Sequence, residues 1–576
     1  MKKNLILSLV TAAVMPLSLV SCSNNAEISV EENSKVSGTT EITENVSEDI
    51  TEENTESTEQ TEEVSEEQTE IQENTEEESD YEEDSEFERV SLDEVNEMAK
   101  KLLEDVKISD NKKAVQEDID KLLEYEDKAS DLVAYSAIDF NYDWQNEAIS
   151  EKDDILNEDL VVIDAGLTYT FCNAALSEEY AELFKDLIFD DPESNEVYTV
   201  RGNSLRRTEE YARVDFRLSD ETLDEYYEIL YDENMTDDEK DIKCAELYID
   251  ILSGYDPETF YDFYYRDFTP EEATETTELI LKELVPAYNE LVQKYIELDE
   301  NDELGNIEGV KEPFKVIQKY APQLSDSIKE SIDMLIDENL YCIGDETKSM
   351  DTGFTLAVPT THKALIYNMT YGNYRDLTDC VHEFGHFYSI CKDRTPAYLQ
   401  INNSDVAEIQ SQALEIIFTR FYDDIYGEYA NLAKAAVTTE LLDTVIESFL
   451  IGEFEYEMVQ NIESMTPQDV IDKFNEIVHD KEPDARFYWI QHLFQQPGYY
   501  VSYGVSALAA FNIFDENIDA PEKAVEKYEK IAEISAISPD CRFKETLEKC
   551  GFDDIFTEKY IKNLAKEIKE YAESLK

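Results

Sequence analysis

The residues of this chain most capable of chemistry are His382, Glu383 and His386, which form the pattern His-Glu-x-x-His. Residues four positions apart on a helix lie on one face, so both imidazoles can bind the same zinc ion. The glutamate between them can act as the general base toward the attacking water. The chain has only five histidines, which makes a chance match rare. The motif therefore predicts metal-assisted hydrolysis of a peptide bond.

A catalytic zinc ion needs a third protein ligand, because such sites combine three side chains with one open position. The candidates lie on a predicted helix, residues 405–415, with Ser404 as its N-cap. Glu408 and Glu415 are seven positions apart on this helix and share one face. On spacing alone, either carboxylate could be the third ligand.

The motif needs a helix to carry it, and acidic residues just upstream predict that this helix begins near Asp376 or Thr378. Before the helix, the apolar runs 354–358 and 364–368 predict two short strands of a hairpin. A strand edge beside a metal site can hold an extended peptide as an added strand. A purely structural hairpin is compatible with the same pattern.

From about residue 90 onward the pattern is helical almost throughout. Capping residues mark four of the helix starts: Ser91 with Glu94, Thr236 with Glu239, Thr269 with Glu272, and Thr466 before Pro467. The chain has only 15 glycines and 14 prolines, few for a β-rich protein of this size. We therefore predict a mostly α fold, with one large helical body over residues 91–576 and a small sheet beside the motif helix.

Residues 1–21 are predicted to be a lipoprotein signal peptide. Lys2 and Lys3 precede a short apolar stretch that Pro16 interrupts and that is too short to span a membrane comfortably. The residues before Cys22 resemble the lipobox of bacterial lipoproteins, which implies that Cys22 carries a lipid anchor in the bacterial cell membrane. A secretory signal with an incidental Cys22 is the alternative. Both interpretations place the mature protein outside the cytoplasm.

Residues 22–90 form a low-complexity segment rich in Glu, Thr, Ser and Asn. Residues 23–88 contain 26 acidic residues and one basic residue, Lys35. A segment so polar and self-repelling cannot bury a core, and we interpret it as a disordered tether that lifts the enzyme off the membrane. The formal net charge of the whole chain is −88, which argues against nucleic-acid partners and favours cationic peptides.

The cysteines that follow Cys22 do not indicate a disulfide framework. They are seven, an odd number, and none forms a Cys-x-x-Cys pair. If Cys380 and Cys391 both lie on the motif helix, they are about three turns apart, too far for a disulfide. We predict scattered, reduced thiols.

Residues 340–514 resemble the thimet oligopeptidase and oligopeptidase F family of zinc peptidases, which is gluzincin-like. That family follows its HExGH motif with a helix of the form E-x-x-S-x-x-x-E. Here Glu408, Ser411 and Glu415 fall at those places, the first of them 26 residues after His382. The resemblance implies that Glu408 is the third ligand of one zinc ion and that Glu415 orients a histidine. Residues 353–378 are similar to the family's approach to its zinc helix.

Farther downstream the family carries a histidine and then a tyrosine-rich segment, and this chain has His492 and residues 497–506. The resemblance implies that Tyr503 stabilises the oxyanion, that Tyr500 is a second candidate for this role, and that His492 binds substrate. A phenol hydroxyl that donates to the developing oxyanion contributes a few kcal/mol. Ser389 departs from the family, since many relatives have a third histidine there, but that position is not a metal ligand.

The resemblance also implies a deep channel through which short unfolded oligopeptides reach the zinc ion and folded proteins do not. The implied reaction is endopeptidase cleavage with Glu383 as the base, and we expect a monomer. A helical zinc carboxypeptidase is one alternative, which would require a free substrate C-terminus. A non-catalytic, peptide-binding surface lipoprotein is the other, which would bind peptides without cleaving them.

Overall fold

The structure is a computed structural model that describes part of the chain: residues 20–21, 87–108, 111–189, 198–213, 220–232, 234–300, 304–345, 347–401, 403–479, 481 and 485–576. Cys22 and nearly all of the acidic segment lie outside these residues, so the lipid anchor and the tether stay predictions. Residues 89–576 belong to one compact unit. Among the described residues, none of the helices is both long and apolar enough to cross a membrane.

Helices make up most of the described chain before residue 341. They are α1 (Leu92–Asp105), α2 (Lys112–Tyr142), α3 (Glu147–Ala175), α4 (Val200–Arg213), α5 (Asp220–Leu230), α6 (Asp237–Leu252), α7 (Pro270–Leu279), α8 (Val285–Leu298), α9 (Pro313–Tyr320) and α10 (Asp326–Asp337). The predicted capping pairs at Thr236 and Thr269 are confirmed, because each side chain and its partner glutamate exchange hydrogen bonds with the other's backbone N–H. At Ser91 the cap accepts from the Glu94 N–H.

A small sheet separates these helices from the second half of the chain. Its strands are β1 (Val20–Ser21), β2 (Tyr341–Ile343), β3 (Gly353–Val358) and β4 (Lys363–Asn368), in the spatial order β1-β3-β4-β2. The predicted hairpin is confirmed as the antiparallel pair β3 and β4. A short 3₁₀ turn joins its strands and ends at His362, whose φ of 52° is left-handed. β1 pairs antiparallel with the other edge of β3.

The described helices after the sheet carry the motifs. They are α11 (Arg375–Ile390), α12 (Ser404–Phe418), α13 (Tyr422–Tyr426), α14 (Ala430–Asn461), α15 (Pro467–Phe474), α16 (His492–Gln495), α17 (Val501–Ala510), α18 (Phe514–Asp519), α19 (Pro521–Ala532), α20 (Phe543–Cys550) and α21 (Glu558–Ser574). The larger hydrophobic core joins the sheet to α11, α12, α14 and α17. A smaller core packs α1, α2 and α3 together with Tyr398 and Leu399. The fold is mostly α, as predicted.

The predicted start of α11 is confirmed to within one residue, whereas the predicted N-cap of α12 is wrong. α11 begins at Arg375 with Asp376 in its first turn, and the Asp376 carboxylate accepts the backbone N–H groups of Tyr371 and Gly372, at 2.7 and 2.8 Å. α12 begins at Ser404 itself, whose hydroxyl accepts a hydrogen bond from the Tyr499 hydroxyl at 2.8 Å. The Ser404 hydroxyl therefore contacts a residue 95 positions away in the chain and does not cap α12.

Candidate metal centre and active site

α11 carries the His-Glu-x-x-His motif and crosses α12 at Gly385. A Cβ atom built on Gly385 would lie 2.7 Å from the carbonyl oxygen of Gln410 and 2.7 Å from the Cα of Ser411. Side-chain carbons do not approach backbone atoms so closely, so only glycine allows the two helices to pack at this distance. This close crossing brings the motif histidines to the glutamates of α12.

The structure brings His382, His386 and Glu408 together. The Nε2 atoms of the two histidines lie 3.2 Å apart. The Oε2 atom of Glu408 is 3.3 Å from Nε2 of His382 and 3.6 Å from Nε2 of His386. Among the described residues, this is the group of three or more metal-binding side chains whose ligand atoms converge.

These separations fit a tetrahedral zinc site. Metal–ligand bonds of about 2.0–2.2 Å place two ligand atoms of a tetrahedron about 3.3–3.6 Å apart. The three observed distances of 3.2, 3.3 and 3.6 Å match that edge length. Two imidazole nitrogens and one carboxylate oxygen are also the donor set that suits zinc. The residues present therefore fit one zinc ion.

Neighbouring groups hold these ligands in the form that binds a metal. Glu415 accepts from Nδ1 of His382 at 2.6 Å, which makes Nε2 of that ring the nitrogen that can bind a metal. The Ser411 hydroxyl donates to Oε2 of Glu408 at 3.1 Å. Burial lowers the pKa of His386, which favours its neutral form. Although burial alone would raise it, the pKa of Glu408 is well below its ordinary value because His386 and His382 lie beside it.

Glu383 lies beside this group and is almost completely buried, with 2% of its surface exposed. The Thr355 hydroxyl, on β3, donates to its Oε2 atom at 2.7 Å and holds the carboxylate in place. Burial raises the pKa of Glu383 to about 8, and the neighbouring His382 and the Thr355 hydrogen bond oppose that rise. A carboxyl group that titrates near neutral pH can both accept a proton and return it.

The histidine and tyrosines that the family resemblance selected also lie together. The Tyr503 hydroxyl is 3.4 Å from Nε2 of His492, and the Tyr500 ring is 5.6 Å from the Tyr503 ring, centre to centre. Burial lowers the pKa of His492 to about 4, so this ring is neutral at physiological pH. Tyr500 immediately precedes α17, whereas Tyr503 lies in its first turn. The Tyr499 ring stacks on His492 at 5.1 Å.

A tight turn at Gly498 sets the direction of this tyrosine segment. Gly498 has a φ of +85°, and a Cβ atom there would lie 3.0 Å from the Phe260 ring and 3.2 Å from the Tyr264 ring. Both the left-handed conformation and the crowding favour glycine. Its N–H group donates to Oε1 of Glu455, on α14, at 2.6 Å.

Several contacts at the site could not be found from the sequence. The contacts of Thr355 with Glu383 and of Glu455 with Gly498 join positions that are distant in the chain. The contact of Asp405 with Arg266 also joins distant positions, and no motif marks Asp405. The spacing of Thr355 from the hairpin turn is the one available signal, since it predicts a strand residue close to the motif helix. His362 ends the hairpin turn, and Nδ1 of His479 lies 3.2 Å from the Ala485 carbonyl, so neither is placed with the site by these contacts.

Gly385→Ala is expected to separate α11 from α12 and to weaken zinc binding. The added methyl group would meet backbone atoms, which cannot rotate away, and overpacking of this kind costs about 1–3 kcal/mol. We expect a lower melting temperature and a substoichiometric zinc content. The matched control is Gly166→Ala on α3, where a Cβ atom meets nothing within 4 Å. If both variants kept full zinc and wild-type stability, the helix crossing would not depend on Gly385.

Glu455→Gln is expected to change how stability depends on pH. Burial raises the pKa of Glu455 to about 8, although the Gly498 N–H and Arg266 oppose that rise. The folded state therefore keeps this proton above the unfolded pKa of about 4.3, and stability present at low pH is lost as the pH rises to about 8. Glutamine keeps an acceptor for Gly498 and does not titrate. Relative to the wild type, the variant should gain up to about 4 kcal/mol between pH 5 and pH 8. Thermal melts at both pH values measure this, and a constant difference would contradict it.

Comparison with known proteins gives a clear result at the level of structure. No protein-family model and no curated protein sequence matches this chain. The structure of Pz peptidase A with an inhibitor matches 85% of this chain and 99% of its own, with 13% identity and a TM-score of 0.65. A Bacillus anthracis structure named for oligoendopeptidase F matches 85% of this chain and 98% of its own, with 16% identity and a TM-score of 0.64. Metallocarboxypeptidase 1 of Trypanosoma cruzi matches 79% of this chain and 99% of its own, with 12% identity and a TM-score of 0.50.

The structural matches identify the class of fold. The chain has the mostly helical fold, with a small sheet, that these peptidase structures share. More particularly, it is an oligopeptidase F-like fold, as the resemblance of residues 340–514 predicted. Since the identities are 12–16%, the likeness concerns the fold, and the chemistry has to be argued from the residues of the site.

Proposed function

We propose that this protein is a zinc-dependent endopeptidase of the oligopeptidase type, which cleaves short unfolded peptides outside the cell membrane. One observation carries the proposal. His382, His386 and Glu408 converge at the separations of a tetrahedral zinc site, and the buried carboxyl group of Glu383 lies beside them. The location follows from the sequence, in which Cys22 is the candidate lipid anchor.

Each side chain of the site has a separate role in the proposed hydrolysis. A zinc ion held by the three ligands would supply a Lewis acid that polarises the scissile carbonyl. Glu383 accepts the proton of the attacking water and delivers it to the nitrogen of the leaving amine. Thr355 keeps the Glu383 carboxylate oriented for both transfers. The Tyr503 hydroxyl, with Tyr500 as the second candidate, donates a hydrogen bond to the developing oxyanion.

The edge of β3 supports an extended mode of peptide binding. β3 carries Thr355, so a strand added at this edge would run directly past Glu383. Val20 and Ser21, which belong to the predicted signal peptide, pair antiparallel with Thr355 and Phe354, and this pairing supports the ability of the edge to take a further strand once the signal peptide is removed. Main-chain hydrogen bonds of this kind bind peptides with little dependence on sequence. Preferences for particular substrate side chains would then come from the residues around the bound peptide.

A helical zinc carboxypeptidase is the second candidate, and the likeness to the Trypanosoma cruzi enzyme favours it. The TM-score of that comparison is 0.50, whereas the comparisons with Pz peptidase A and the oligoendopeptidase F structure reach 0.65 and 0.64. The endopeptidase is therefore our first choice. The two activities differ in one requirement that can be tested directly, namely a free C-terminal carboxylate on the substrate.

The test is hydrolysis of internally quenched peptides of about ten residues, each prepared with a free and with an amidated C-terminus. We expect internal cleavage of both forms, identified by mass spectrometry of the products. Dialysis against a chelator should abolish cleavage, and added zinc should restore it. Cleavage of the free-acid peptides alone, one residue at a time, would establish the carboxypeptidase. Peptide binding without any cleavage by the zinc-loaded protein would establish a binding lipoprotein instead.

A further inference from the structure

Arg266 lies in the loop between α6 and α7, far in sequence from the residues of the site, yet its side chain is completely buried, with 0% exposed. Its Nε and Nη2 atoms donate to the two carboxylate oxygens of Asp405, at 3.0 and 3.3 Å. Nη1 donates to the carbonyl oxygen of Gly498 at 2.7 Å, and Nη2 also donates to the Ser502 hydroxyl at 2.8 Å. One guanidinium group therefore joins three separate residues.

These partners belong to the two elements that form the site. Asp405 is in the first turn of α12, three residues before Glu408, the third metal-binding side chain. Gly498 and Ser502 lie on either side of Tyr500, and Ser502 is next to Tyr503. Because the guanidinium is planar and rigid, its bonds set the position of one element relative to the other. All the described side-chain hydrogen bonds of Arg266 end on these two elements.

Three side chains from other parts of the chain hold the turn that leads into the tyrosines. The Tyr264 hydroxyl is within hydrogen-bond distance of the carbonyl oxygens of Gln496 and Pro497, at 3.1 and 2.9 Å. The Tyr264 ring also lies against the guanidinium of Arg266, 4.5 Å from its centre. Glu455 accepts from the N–H of Gly498, while Arg266 donates to its carbonyl. Both sides of this residue are thus fixed from other parts of the chain.

A buried ion pair is a costly way to join two elements, since apolar residues of similar size often give equal or better stability. What the pair adds is geometry, because a forked guanidinium fixes directions that apolar contacts leave free. The partners of Arg266 are the metal-ligand helix and the tyrosine segment, and catalysis depends on the distance between the two.

We propose that Arg266 is a positioning residue for peptide hydrolysis: paired with Asp405, it sets the hydroxyl groups of Tyr503 and Tyr500 relative to the Glu408 helix. The inference rests on the proposed function for its kinetic consequence, but the placement of the tyrosine segment can also be measured without turnover. Arg266 itself touches neither substrate nor metal in this scheme, and acts through Gly498 and Ser502.

Arg266→Lys is the decisive variant. Lysine keeps a positive charge opposite Asp405 but cannot reach Asp405, Gly498 and Ser502 at once, because it lacks the fork. We expect kcat to fall by about 10²-fold, as a displacement of about 1 Å can cause, with KM within about threefold of the wild type. The zinc content should stay at one ion. Ser502→Ala, which removes one of the bonds and little volume, should lower kcat less and leave the fold intact.

The matched control is Arg207→Lys. Arg207 also pairs with a buried aspartate, Asp164, at 2.8 Å, and also lies against a tyrosine ring, that of Tyr398. It packs against the smaller core rather than the tyrosine segment. We expect this variant to lose a similar amount of thermal stability and to keep the wild-type kcat. Equal losses of kcat in both lysine variants would reduce Arg266 to an ordinary structural residue and overturn the proposal.

Hydrogen exchange supplies the readout that needs no activity. Amide exchange of residues 492–506 should become faster in Arg266→Lys and stay unchanged in Arg207→Lys, under conditions where both proteins are folded. A wild-type protein that hydrolyses no peptide would overturn the proposed function, and the exchange result would still decide whether Arg266 holds the tyrosine segment. Unchanged exchange together with a wild-type kcat in Arg266→Lys would overturn the positioning role.

Discussion

Glu383→Gln is expected to lower kcat for peptide hydrolysis by about 10²- to 10⁴-fold while leaving the bound zinc in place. Glutamine has the same shape and keeps an oxygen that can accept from the Thr355 hydroxyl, so the fold around β3 and α11 should not change. It cannot, however, take a proton from the attacking water. KM should change little, because the amide does not alter the ground-state contacts of the peptide.

The measurement is steady-state hydrolysis of the quenched peptide, together with zinc content by atomic emission on the same sample. Glu126→Gln is the matched control, because Glu126 on α2 is also buried, with 0% exposed, but has Asp164 and Arg207 as its charged neighbours rather than the motif residues. Its kcat should equal that of the wild type. A Glu383→Gln variant that kept a tenth or more of the wild-type kcat with full zinc would exclude Glu383 as the base.

Glu408→Gln is expected to release the zinc ion and abolish hydrolysis. Its Oε2 atom lies within 3.6 Å of Nε2 on both histidines, and a neutral amide oxygen is a much weaker zinc ligand than a carboxylate. Glu415→Gln on the same helix is the comparison. Glu415 contacts Nδ1 of His382, not the metal-facing nitrogen, so its loss should weaken zinc affinity by only about 10- to 100-fold.

Competition with a chromophoric chelator measures both affinities, and protein concentration is matched by absorbance. We expect zinc affinity to be highest in the wild type, lower in Glu415→Gln and lowest in Glu408→Gln. The loss of affinity in Glu408→Gln should be much larger than the loss in Glu415→Gln. Circular dichroism should show helical folds for all three, because the HExxH helix and its neighbours are also held by the larger core. The reverse order of the two variants would make Glu415 the ligand and contradict the geometry of the site.

Local patterns in the sequence were sufficient to place the motif residues on one helix and to identify the elements around it. The spacing of His382, Glu383 and His386 indicates a shared helix face, and the two apolar runs 354–358 and 364–368 indicate the β3–β4 hairpin, which is confirmed. The capping pairs at Thr236 and Thr269 are confirmed for the same reason. Each of these features depends on residues a few positions apart, whose interactions are set by the helix or strand geometry itself.

Spacing left open whether Glu408 or Glu415 is the third ligand, because seven residues place both on one helix face. The tertiary structure separates them, since the crossing at Gly385 points Glu408 at Nε2 of both histidines and Glu415 at Nδ1 of one. The N-cap predicted at Ser404 failed for a related reason. The hydroxyl of Tyr499, 95 positions away in the chain, donates to the Ser404 oxygen, and such a competitor cannot be identified from neighbouring residues.

The sequence by itself thus determined the mostly helical architecture, the hairpin before the motif and, through the family resemblance, the choice of Glu408. Only the tertiary structure decided that Glu408 reaches Nε2 of both histidines, that Thr355 holds Glu383, and that Arg266 joins the Glu408 helix to the tyrosine segment. The physical reason is the distance along the chain over which each interaction acts. Periodicity and capping act over a few residues, whereas Arg266 and Asp405 are 139 positions apart and meet only when the core has packed.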